Sequence, residues 1–248
     1  MPRLSGGILG FPDFRGFTRR LVLWNLGAYF LLLLLGVASA SAAAGVDAYL
    51  GLVPALVLRR GFVWELGTYW IVHHGILNTA FELLSLWFLG SFLEDNHGAR
   101  WLGEIFFVSV FGAGLAGLAL AAATGSPGVL IYGCWGGITG LMIAFGVLYA
   151  DMQFMMFPLP IMIKAKHMMW VYLLIMVAML FFPAERIIGF SQLGGALFGY
   201  LYIKFAPRRG FAFAGAESLY GLRNRYYRWK RRRAAKKFEV YMRRHRDN

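Results

Sequence analysis

Residues 132–142 read YGCWGGITGLM. Gly133, Gly136, Gly137 and Gly140 sit among apolar residues, and glycines at such spacing leave a helix face without side chains, on which a second backbone packs closely. Gly195 and Gly199 form another small-residue face. Gly112, Gly114 and Gly117 form a third, which serves either the protein's own packing or an external partner. The stretch therefore supports close contact between apolar helices.

The surrounding composition agrees. The chain has 248 residues, 59% of them hydrophobic, with a mean hydropathy of +0.58. That value is far above what a soluble domain of this length carries. Stretches long enough to cross about 30 Å of hydrocarbon as a helix recur near residues 20–41, 68–93, 101–123, 128–150, 167–183 and 187–206. They are continuously apolar rather than alternating, which excludes barrel strands. The expected fold class is an all-α polytopic membrane protein with six transmembrane helices. Three regions follow: a segment at 1–19, a membrane domain at 20–206 and a tail at 207–248. Arg19, Arg20 and the later "ASASAAA" resemble a secretory signal with its cleavage site, but the long apolar run and the spans after it predict a retained helix.

Charge sets the orientation. With both termini on the cytoplasmic side, 22 of the 25 Lys and Arg residues face it, and only Arg59, Arg60 and Arg186 do not. This pattern predicts an integral protein of a bacterial cytoplasmic (inner) membrane, both termini cytoplasmic. The tail carries 14 basic and 3 acidic side chains of the chain's net +13. Its Leu219, Leu222, Tyr226 and Trp229 recur at helical spacing, so an amphipathic helix on anionic lipid is expected, with each basic residue contributing on the order of 1 kcal/mol. Nucleic acid is not an expected partner. The loop at 43–67 is too apolar for a free linker and is expected to lie in the outer interface, with Trp64 and the stems of Arg59 and Arg60 half-buried. The lone cysteine, Cys134, excludes an internal disulfide, and the histidines show no metal motif; no cofactor and no metal are expected.

Three motifs in order carry a family resemblance. Trp64, His73, Gly90, Glu94 and Gly98 lie within "VWELGTYWIVHHGILNTAFELLSLWFLGSFLEDNHG"; this unit looks like the second-span region of the rhomboid intramembrane serine proteases. "GCWGGITGLM" is similar to that family's GxSGxxxGL loop, and "SQLGGALFGYLY" to its AHxGGxxxG sixth span. The resemblance implies a six-helix bundle with an outward-opening cavity, in which the fourth and sixth spans pack together through Gly133, Gly136, Gly140, Gly195 and Gly199. It also implies which residues stand where the family's chemistry is done. Trp135 takes the place of the nucleophilic serine and Gln192 that of the histidine base. Asn78 and Glu82 take the places of the oxyanion-site histidine and asparagine, while His73 retains a family histidine. Reading His74 and Asn78 as an HxxxN pair would displace Gly90 and Glu94 by four residues and is rejected. Glu65 stands where the family has arginine.

Serine-type hydrolysis needs a hydroxyl to attack and a base to take its proton. The Trp135 indole is only a donor, and the Gln192 amide is no base near neutral pH. A carboxylate at Glu82 would repel an oxyanion. The chain is therefore expected to be an inactive rhomboid, not an enzyme; Cys134 or Thr139 could stand in as a relocated nucleophile, but the sixth span has no histidine to activate either. Asn78 and Glu82 share a helix face and are expected to join Gln192 and the Trp135 N–H in one polar network, with Trp135 as a plug. His73, Asn78, Glu82, Trp135 and Gln192 are the candidate cavity residues. The function expected is binding of transmembrane helices of client membrane proteins without cleavage. The alternatives are a structural subunit of a larger membrane complex and, behind it, an active intramembrane protease.

Overall fold

The computed structural model describes residues 12–156 and 161–206. The amphipathic tail expected at 207–248 lies outside the described residues. Helix α1 spans Gly16–Ala38, and three short helices follow: α2 (Ala40–Leu50), α3 (Pro54–Arg60) and α4 (Glu65–Thr68). After a 3-10 turn at Tyr69–Ile71 come α5 (Ile76–His97), α6 (Ala99–Ala123) and α7 (Trp135–Leu148). A hairpin of β1 (Gln153–Met156) and β2 (Ile161–Lys164) precedes α8 (Ala165–Met179) and α9 (Arg186–Phe205). Among the described residues the fold is mainly helical, and this antiparallel strand pair is the exception to the all-α expectation.

Local chemistry sets the breaks. Pro54 opens α3, where its missing N–H costs nothing, and Gly61 closes it at φ +74°. Gly98, at φ +88°, separates α5 from α6 with a single residue. The loop expected at 43–67 is largely helical, and Arg59 and Arg60 are exposed rather than half-buried, because they end α3 on its solvent-facing side.

Six helices overlap the six predicted stretches. Among the described residues, α1, α5 and α6 are long and apolar enough to cross a membrane. Helix α7 has 14 residues, about 21 Å at 1.5 Å per residue, and is shorter than the predicted 128–150. Every residue from Gly136 to Gly146 is buried, so α7 is the shielded centre, packed by α5, α6, α8 and α9. The extended chain before it is anchored by Leu52 and Ile131, which exchange two backbone hydrogen bonds of 2.9 Å. Non-helical backbone at membrane depth is tolerated only where it is satisfied and covered in this way.

Glycines permit these close contacts. A Cβ on Gly195 would run into the Gly136 carbonyl, and one on Gly199 would lie 2.6 Å from Gly140 Cα. Gly133 lies instead against the Glu82 carboxylate. Gly112, Gly114 and Gly117 do not face an external partner. They receive Phe198, the Leu66 and Tyr69 side chains, and Ile131 with Ser191, because α6 is the helix on which α9 packs most extensively.

Candidate functional site

The site gathers at the first turn of α7. Gly133, at φ +86°, turns the chain into the helix and donates to the Tyr69 carbonyl at 3.2 Å. Cys134 is the residue before the helix and Trp135 is its first. The half-buried Trp135 projects towards α5 and α8: its Nε1–H donates to Asn78 Oδ1 at 3.2 Å, and its ring lies 6.4 Å from that of Tyr172.

A second polar group is fully buried. His73 Nε2 lies 2.9 Å from Glu82 Oε2, and the Cys134 thiol lies 3.9 Å from the same oxygen. Asn78 and Glu82 thus belong to separate groups, and the single network expected from sequence is corrected. Its other expected member, Gln192, meets the site through its backbone: its carbonyl accepts from Thr139 Oγ1 at 3.1 Å. The cause is the start of α5. Had a helix run unbroken from 68, His73 would lie nine residues, about 13 Å, below Glu82 along the axis. Instead Gly75, at φ +76°, breaks the chain, and the extended residues before it fold His73 back against α5.

The candidate nucleophiles are both enclosed. The Thr139 hydroxyl has its hydrogen shared between the Gly136 and Gln192 carbonyls, at 2.9 and 3.1 Å. Cys134 is fully buried beside Glu82. Beside the site, His74 reaches Asp47 at 3.4 Å and meets the Tyr132 ring edge-on.

Two acidic residues have roles that sequence reasoning left unread. Glu65 Oε2 accepts from the Val53 N–H at 2.8 Å, holding the loop before α3; burial pushes its carboxyl up, and that bond partly offsets the rise. Glu94, read only as a motif anchor, reaches the start of α1, which has no capping side chain of its own. Its position on the last turn of α5 was the available signal.

Trp135 joins α7 to α5, so its removal is measurable. Trp135→Ala is expected to lower stability in detergent by about 2 kcal/mol, below the range for a fully buried tryptophan because the ring is half-buried. Asn78→Leu tests the hydrogen bond alone and is expected to cost about 1 kcal/mol. Thermal melting of the purified chain reads both; unchanged midpoints would show that the indole fills nothing.

Long apolar helices around a shielded, glycine-packed centre define an α-helical integral membrane protein. Residues 23–214 match the family described as "Eukaryotic integral membrane protein (DUF1751)". The chain belongs to that family. No curated protein matches it. The family corrects the expectation of a bacterial cytoplasmic membrane, since its members are described as eukaryotic. The charge pattern behind that expectation reports which side of a bilayer faces the cytoplasm, and the same rule acts in bacterial and eukaryotic membranes.

Proposed function

We propose that this protein is a non-cleaving, rhomboid-like membrane protein that holds transmembrane helices of other proteins beside its α5 and α8. The observation that supports this most directly is Trp135. By the sequence resemblance it stands at the nucleophile's position, and its indole fills the seam between Asn78 of α5 and Tyr172 of α8. The two helices share no extensive interface of their own. Each turns large apolar side chains outward, Ile76, Leu77 and Phe81 on one and Trp170 and Leu174 on the other. Such a surface pairs with a client helix by packing and needs no hydroxyl nucleophile.

A photoreactive residue at Phe81 or Trp170 tests the reading in native membranes. Crosslinks to transmembrane segments of many proteins, each below stoichiometry, are expected. A single stoichiometric partner would favour a fixed subunit of a larger complex. Cleavage of a helical peptide in liposomes, lost on changing Cys134 or Thr139, would overturn the reading.

A further inference from the structure

We propose that His73, Glu82 and Cys134 bind a zinc-type divalent ion that ties the segment before α5, α5 itself and the loop before α7 into one joint. The three donor atoms lie within 4.8 Å of one another, and all three residues are at most 2% exposed. Zinc bonds of about 2.0–2.3 Å in a tetrahedron place ligand atoms roughly 3.3–3.7 Å apart. The 2.9 Å from His73 Nε2 to Glu82 Oε2 and the 3.9 Å from Cys134 Sγ to that oxygen lie on either side of this range.

The hydrogen bonding points the same way. His73 Nδ1 lies 2.9 Å from the Ile71 carbonyl. A carbonyl oxygen only accepts, so Nδ1 carries the hydrogen and, in the neutral ring, Nε2 presents a lone pair. That lone pair faces the Glu82 carboxylate, yet neither His73 Nε2 nor Glu82 Oε1 has an aligned hydrogen-bond partner. Two electron pairs 2.9 Å apart repel unless a proton or a metal cation lies between them, and the Cys134 thiol beside the same oxygen makes the set a metal-ligand cluster rather than a simple ion pair. An imidazole held by a backbone carbonyl through one nitrogen and offering the other is the usual way a metal-binding histidine is oriented.

Charge and softness narrow the ion. A dication with one thiolate, one carboxylate and one neutral imidazole is neutral overall, which suits a fully buried position where an uncompensated charge is expensive. A thiolate and an imidazole favour zinc over magnesium or calcium. Uptake expels the Cys134 thiol proton to solvent, so binding weakens as pH falls. Three protein ligands leave a fourth position for a small donor such as water.

This inference does not rest on client binding, and its test reads metal alone. The full chain, purified in detergent without chelator, is expected to carry one zinc ion by elemental analysis. After the zinc is exchanged for Co2+, a thiolate-to-cobalt charge-transfer band should appear in the near ultraviolet. The chain has a single cysteine, so that band reports Cys134 even if every variant misfolds. Cys134→Ser should abolish it, and His73→Asn and Glu82→Gln should weaken zinc affinity by at least about tenfold, while His74→Ala retains the metal. A folded chain that takes up neither ion, or a Co2+ form without the band, overturns the proposal; so does zinc held equally by Glu82→Gln and Cys134→Ser.

Discussion

Gly195→Leu is expected to leave little folded protein in detergent, and Gly195→Ala to cost about 3 kcal/mol, the upper part of the range for overpacking. The reason is the nature of the obstacle. A Cβ at 195 meets the Gly136 carbonyl and lies 2.8 Å from Thr139 Oγ1. The hydroxyl is itself held between two carbonyls, and the carbonyl belongs to the first turn of the buried α7, so neither yields as a flexible side-chain end would. Pushing α9 away from α7 would also loosen the contact of Gly199 with Gly140 one turn further on. Gly27 of α1 has nothing within 4 Å of a built Cβ. Gly27→Ala is expected to be neutral or slightly stabilising, since alanine is the better helix former. Melting curves of the three variants by fluorescence-detected size exclusion would check the order; equal losses at 195 and 27 would show that α7 and α9 are not locked by backbone contact.

Glu94→Ala is expected to cost about 4 kcal/mol, the second large loss. One carboxylate accepts from the Phe17 N–H at 2.7 Å, the Thr18 N–H at 2.8 Å and the Thr18 hydroxyl at 2.7 Å. The first turn of any helix has unpaired N–H groups and a partial positive charge, and here an acid from another helix satisfies both. Hydrogen bonds to a charged group are worth roughly 1.5–3 kcal/mol each, and their loss leaves donors in a partly buried place. Glu94→Gln should lose about half as much, because its carbonyl still accepts while its NH2 confronts the α1 donors. Arg15→Ala, which removes exposed pairs with Asp95 at 3.0 Å and Asp13 at 3.4 Å, should change stability by less than about 1 kcal/mol. If Glu94→Ala and Arg15→Ala melted alike, the cap would be an ordinary surface contact.

Gly90 completes that joint. Thr18 is fully buried against it, with Thr18 Cγ2 2.9 Å from where a Cβ would stand. Gly90 and Glu94, one turn apart on α5, thus form a seat for the start of α1. Both were visible as motif residues, but their purpose was not, because capping across 76 residues leaves no mark on either segment alone.

Much was legible before any tertiary information. Residence in a membrane, the approximate places of the apolar helices and the glycine-rich faces follow from hydropathy and residue size, which act locally. The ends of the helices were less legible: the predicted second span absorbed residues 68–75, whose apolar side chains do not reveal the 3-10 turn or the positive φ at Gly75.

Sequence by itself determined that this chain must bury its backbone polar groups in helices within lipid, and that glycine, indole and amide occupy the motif positions. Only the tertiary structure decided which polar side chains meet. His73 reaches Glu82 because Gly75 reverses the chain, and Cys134 reaches it from 52 residues away. Hydropathy is summed along a segment, whereas a buried polar contact depends on where two distant segments are folded, and neither segment encodes that alone.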